Sequence, residues 1–335
     1  MQDNSSSHEV SGEPAQVADL KRERKIVKAT DGAPGRIEVD LVAAVLAMLD
    51  EQPVVLLGAV DAARAAAEQR LPSCHFDPSR HETLDAAVQQ GILAASSPGI
   101  GHLEQLSSRC TELRGDRKSA GILSVGYLAL VRAETLSHVP RAGWLKIYDV
   151  MPWEDWRRGR PACLAEVIVP GLMRWLETSN TAGEQTGDIA RVRIAFGLDE
   201  SSWDDERVVE RLEILEQAGL LDRVSPVVLE PTHRHIIAAA LGRLRARIRH
   251  RPVVFELLPQ QFTLFELQRA VEAILGPHLH KQNFRRLVEG MGLVEPTGEV
   301  RSHTGGRPAR LFRFRPAVML ERAAPGVRIR PGKAA

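Results

Sequence analysis

Between positions 262 and 314 the sequence dictates an order of short elements and leaves them little freedom. Thr263 and Glu266 stand at capping-box spacing, where each side chain satisfies the other's free backbone donor at the start of a helix. That helix runs through Leu267, Val271 and Ile274-Leu275 and stops at Gly276-Pro277. A second helix begins near His280. Within it Phe284, Leu287, Val288 and Met291 recur at i, i+3, i+4, i+7, which makes them the buried face. Lys281, Gln282, Asn283, Arg285 and Arg286 are left on or beside the exposed side. Leu293-Val294-Glu295 reads as a strand and the stretch from Ala309 to Phe314 as its returning partner, with a basic loop bearing Gly305-Gly306 between them. Two helices, a strand, a loop and a strand make a helix-turn-helix with a wing, over 257–316.

The residue types on the second helix suit a major groove. Arginine pairs bidentately with guanine, Gln or Asn with adenine, and Lys with phosphate. The candidate DNA contacts are Thr263, Lys281, Gln282, Asn283, Arg285 and Arg286, with Arg301, Arg307 and Arg310 of the wing flanking the duplex. Charge is distributed accordingly. From position 257 onward 13 Lys and Arg face 6 Glu and no Asp, whereas the rest of the chain holds 31 basic and 37 acidic residues. Such asymmetry points one end at a polyanion. The bland alternative is a solvated helical face beside an ordinary hairpin, and winged helices also bind RNA or protein.

The remaining sequence divides by composition. Residues 1–35 are rich in Ser, Glu, Lys and Arg without an apolar core, so a disordered arm rather than a secretory signal is expected. Residues 36–230 read as a mixed α and β domain. Apolar runs at 39–49 and 54–57, split by Asp50-Glu51-Gln52-Pro53, predict a hairpin. Leu84, Val88 and Ile92 share one helical face, 121–131 is apolar enough for a central strand, and 144–150 is a further strand candidate. An amphipathic helix is expected over 202–219, with Gly219 as its stop. Residues 231–256 read as a connecting helix and linker, and 317–335 as a basic tail. Cys74, Cys110 and Cys163 lie far apart, and the His233/His235 and His278/His280 pairs point to different helix faces, so neither disulfides nor a metal site is expected. With no long apolar run, the expected setting is the cytoplasm.

The string 255–272, then His280-Lys281-Gln282-Asn283-Phe284-Arg285-Arg286-Leu287, then Gly305-Gly306-Arg307-Pro308-Ala309 resembles Nudix-related transcriptional regulators, most closely the NadQ-type regulators of NAD biosynthesis. Leu71-Pro72-Ser73, Phe76-Asp77-Pro78, 124–128 and Pro152-Trp153-Glu154-Asp155-Trp156 extend the likeness into the first domain. The resemblance implies an α+β chain: a Nudix-like αβα sandwich, a linker helix and a C-terminal winged helix-turn-helix. It further implies a homodimer on palindromic double-stranded operator DNA, acting as a repressor, and an adenine-nucleotide effector such as NAD, ADP-ribose or ATP.

A Nudix hydrolase holds magnesium through glutamates along one helix. With its first glutamate set on Glu82, Phe76 occupies the glycine position, Gln90-Gly91 replace the Arg-Glu pair, and Ala94-Ala95 replace Glu-Glu. Such a helix lacks the hard ligands, so the expectation is a sensor with no catalytic residues and no required cofactor. The competing expectation is a hydrolase of ADP-ribose or a related dinucleotide carrying an appended winged helix. Candidate effector contacts are Arg80, Tyr127, Lys146, Trp153, Trp156 and Arg157: rings to stack on adenine and cations to pair with phosphate. For the three aromatics, burial in the core is the competing reading.

Overall fold

A computed structural model describes residues 37–58, 69–93, 100–111, 121–136, 143–179, 186–198, 201–276, 278–302, 308–321 and 327. The expected N-terminal arm and most of the basic tail lie outside these residues. Strands β1 (Ile37–Leu49) and β2 (Gln52–Leu56) form the expected hairpin. At its tip Asp50 and Glu51 both take positive φ, 48° and 60°, the geometry of primed hairpin turns whose twist matches that of the strands. There follow β3 (Ser73–His75), α1 (Leu84–Val88) with a π turn at Gln89–Leu93, β4 (Ile100–Thr111) and β5 (Gly121–Val131). Next come β6 (Trp144–Lys146), α2 (Ile147–Val150), α3 (Val169–Ser179), α4 (Thr186–Phe196), α5 (Val208–Gln217), α6 (Leu221–Val224) and α7 (Pro231–His250).

The sheet order is β4-β5-β1-β2-β6, with β3 also paired to β1; β1 and β5 run parallel and the other pairings are antiparallel. Strand β1 is buried on both faces. Leu41, Ala43, Val45 and Ala47 point to one side with Val125, Tyr127 and Ala129 of β5, where Ala87, Val88 and Ile92 cover them. Val42, Ala44 and Leu46 point to the other side, beneath Ile236, Ile237 and Leu241 of α7. Gly126 allows this approach, because a Cβ there would stand 2.9 Å from Ile236 Cγ1. The result is an αβα sandwich.

Three expectations need correction. The strand expected over 144–150 ends at Lys146, opposite Val54, because the next position on β2 is Pro53, which has no N–H to donate to the ladder; Ile147 and Val150, spaced i,i+3, then turn inward as α2. The helix expected from 202 starts at Val208, because Asp204 accepts the Glu206 backbone N–H in a local turn, and it stops at Gly219 as expected (φ 64°). Helix α7 is no connector. Twelve of its twenty residues are buried, Arg245 among them, so it forms an outer layer of the sandwich.

The C-terminal unit holds α8 (Leu264–Leu275), α9 (Lys281–Gly290), β7 (Val294–Arg301) and β8 (Ala309–Phe314), then α10 (Val318–Glu321). Phe262 bridges to Phe312 as a third, minimal strand. This is the winged helix that the sequence prescribes. Its core is continuous with that of the sandwich: the Phe255 ring lies 5.5 Å from Phe262 and 4.6 Å from Phe314, and Leu267, Ile274, Phe284 and Val288 join the same apolar cluster as α7. The tail, too, is partly anchored. Val318 and Val327 are buried, and the Val327 N–H donates to the Ile248 carbonyl over 2.8 Å.

Candidate nucleic-acid interface and an adjoining cleft

Helix α8 begins with the full capping box. The Glu266 N–H donates to Thr263 Oγ1 over 3.1 Å and the Thr263 N–H to Glu266 Oε2 over 2.7 Å. Thr263 is therefore buried and spent on the cap, which removes it from the DNA contacts expected of it. Arg301 is also committed elsewhere. Its guanidinium donates to Glu266 Oε1 (2.7 Å) and to the Gln261 carbonyl (3.2 Å), stapling the wing to α8 rather than reaching outward. The expected contact Arg307 lies outside the described residues, and Arg310 is exposed on β8.

Helix α9 presents the polar face expected of it. Phe284 and Val288 are buried, Leu287 and Met291 pack against the core, and Lys281, Gln282, Asn283, Arg285 and Arg286 are all exposed. Opposite Phe284, the 3.6-residue period carries Gln282, Arg286 and Glu289 furthest outward. Glu289, an anion on this outward face, is one that residue types suited to DNA do not point to. It accepts from Arg285 Nε over 3.0 Å, one turn earlier on the helix, so it orients that guanidinium.

The far end of α8 is gripped from the sandwich. Tyr148 donates its hydroxyl to the Ala273 carbonyl over 2.6 Å, and Arg245 Nε donates to the Ile274 carbonyl over 2.9 Å, capping two orphan carbonyls of the last turn. Gly276 ends the helix with φ of 96°, and a Cβ there would meet Trp156 Cβ at 2.8 Å. Behind Arg245 lies a sealed ionic cluster. Glu154 accepts from Arg211 Nε at 2.7 Å and Nη2 at 3.1 Å, and from Arg245 Nη1 at 2.6 Å. Burial alone would raise the Glu154 carboxyl, but the two guanidiniums hold it below the usual range. Trp203 covers Arg211, 3.9 Å from ring centre to guanidinium carbon.

Of the six expected effector contacts, the structure brings two together. Lys146 and Arg157 line a cleft of about 820 Å³ formed by the β1–β2 tip, β6–α2, residues 152–158, α8 and His278. Tyr127 and Trp153 are corrected to core residues, each fully buried. The Tyr127 hydroxyl is held by Asp85 over 2.9 Å, and its acidity is suppressed first by burial and then by that carboxylate. Trp156 is likewise packing, its ring 4.8 Å from Trp203. Arg80 is exposed in the turn before α1 and does not line the cleft.

Within the cleft Arg157 is tied to Asp155 (2.6 and 2.7 Å) and Gln52 (2.6 Å), above the Tyr148 ring. Arg269 of α8 reaches Glu51 at the hairpin tip (2.9 Å) and Glu272 (3.2 Å). By contrast, the exposed side chains of Lys146, Asp149 and Arg158 form no hydrogen bond or ion pair among the described residues. Arg158, Asp149 and Arg269 escaped the sequence reading, since no local signal brings α8 to a hairpin more than two hundred positions earlier.

Comparison with known proteins bears on both units. Residues 254–314 match the NrtR DNA-binding winged helix domain. The chain is 40% identical over 100 residues to the ADPR-responsive transcriptional repressor NtrR of Acinetobacter baylyi, a match covering 30% of this chain and 37% of that relative's length. The fold is similar to the crystal structure of Shewanella oneidensis NrtR complexed with a 27mer DNA, with a TM-score of 0.52 and 20% identity over 84% of this chain and 94% of the other.

Proposed function

We propose, from a winged helix of the NrtR type on a chain that resembles Nudix-related transcriptional regulators, that this protein is an ADP-ribose-responsive transcriptional repressor. It binds double-stranded operator DNA as a homodimer through α9 and the wing, and it acts on genes of NAD biosynthesis. The observation that carries this reading is the exposed polar face of α9, five groups suited to bases and phosphates on a helix whose other face is buried. The curated relative is itself an ADPR-responsive repressor, which supports the choice of effector.

The reading assigns no hydrolysis. Glu82 is exposed just before α1, and Gln90 and Gly91 occupy the helical turn where a hydrolase would place Arg-Glu. Fluorescence anisotropy on a palindromic promoter duplex, at fixed salt, with ADP-ribose, NAD and ATP added separately, tests the proposal. Specific retention of the duplex and a shift in affinity with ADP-ribose are expected. Equal binding to promoter and random duplex would refute the regulator, and magnesium-dependent turnover of ADP-ribose would favour a hydrolase.

A further inference from the structure

We infer that Gln268 and Glu272, buried side by side on α8, are the positioning residues for α9: together they clamp Leu279 in the turn between the two helices and fix the angle at which the polar face meets DNA. The inference rests on the DNA-reading proposal and adds what aims the reading helix.

Helix α9 has little of its own to hold its start. Its N-cap residue His280 makes no side-chain bond to the first turn, and only Phe284 and Val288 of its ten residues are buried. The fixed point lies one residue before the cap. The Leu279 N–H donates to Glu272 Oε1 over 2.9 Å, and the Leu279 carbonyl accepts from Gln268 Nε2 over 2.8 Å. Gln268 Nε2 also donates to Glu272 Oε1 over 2.9 Å, which closes the clamp. Their i,i+4 spacing puts both side chains on one face of α8. They are 7% and 4% exposed, so each of these hydrogen bonds is costly to lose. Both backbone groups of one turn residue are thus held by sealed side chains, two positions before Lys281 opens the polar face.

The two oxygens of Glu272 divide the work. Oε1 holds the clamp, whereas Oε2 faces charge, with Arg269 Nη1 at 3.2 Å and His278 Nδ1 at 3.6 Å. An amide carbonyl has the same two lone pairs to offer as Oε1. Gln at position 272 therefore keeps the clamp and loses the charge, while Ala removes both. The pair lies beneath the reading helix and touches no base. A shift of a fraction of an ångström in α9 would spoil bidentate base pairing yet leave the longer-range attraction to phosphates.

The test uses the full-length protein without nucleotide, with anisotropy on promoter and random duplexes across a salt series. Gln268→Ala and Glu272→Ala are each expected to lower the preference for promoter over random duplex about tenfold, the scale of one lost base contact. The salt dependence of random-duplex binding should not change. Combining the two should cost less than the product of the single losses, because both act through Leu279. Glu272→Gln should restore the preference to near the parental value. Should Glu272→Ala fail to fold, Gln268→Ala carries the test. Parent-like preference in Gln268→Ala, at a parent-like thermal midpoint, would overturn the inference. Two other results would also overturn it. One is a loss of preference only in step with random-duplex binding and thermal midpoint, the mark of a merely structural pair. The other is a loss in Glu272→Gln as large as in Glu272→Ala, which would assign the effect to charge. A parent that does not prefer promoter duplex would sink the regulator reading, and this inference with it.

Discussion

Glu154 faces two guanidiniums with one carboxylate, fully sealed from water, and the consequences of removing it are therefore asymmetric. Glu154→Gln leaves Arg211 and Arg245 buried without a counter-charge, and a loss of about 3–5 kcal/mol in urea unfolding is expected. Its pH dependence follows in sign. Because the folded carboxyl titrates below its unfolded value, its contribution is complete above the unfolded value and is lost as pH falls through the folded one. Acid titration of the parent should show this step and the Gln variant should not. On α9, Arg286→Ala should cost about 1–3 kcal/mol of operator binding and relax preference at one base pair. Glu289→Gln should do the opposite to random duplex, strengthening binding by removing a negative charge from the outward face while freeing Arg285 from its orienting partner. Anisotropy on matched and mutated duplexes reads both. These residues differ in legibility. Arg286 could be picked out from the periodicity set by Phe284 and Val288. Glu154 could not, since its partners lie 57 and 91 positions away and nothing local marks Arg245, among the five arginines of α7, as one that is buried.

Elements were legible wherever a local rule was sufficient. The β1–β2 hairpin, the capping box of α8, the glycine stops of α5 and α8 and the face of α9 each follow from spacing within a dozen residues. Elements whose length depends on a distant neighbour were not. Strand β6 stops where it comes opposite Pro53 of β2, and α7 reads as a connecting helix until the sheet beneath it is known. The same division governs Thr263, whose hydroxyl has a good local reason to serve α8 rather than DNA. Thr263→Ala is expected to lower stability by about 1 kcal/mol, measured by denaturant unfolding. If it instead abolished operator binding at unchanged stability, the cap would not be its role.

At the scale of the molecule, the shared core of sandwich and winged helix argues against two independently melting units. Calorimetry is expected to show one cooperative transition, and two resolved peaks would contradict the continuity of the Phe255–Phe262–Phe314 cluster. The separation of charge between the two units should make DNA binding steeply sensitive to ionic strength, with the slope of log affinity against log salt falling by about one for each phosphate-binding cation removed. Lys281→Ala tests that directly.

The hydrogen bond from Val327 to Ile248 closes the last turn of α7 with a residue from the far end of the chain. Trimming the polypeptide after position 321 would thus strip a lid from the sandwich, although the cut lies beyond the DNA-reading unit in sequence. Shortened versions made to isolate or tidy the reading head should melt earlier and expose apolar surface to dyes such as ANS.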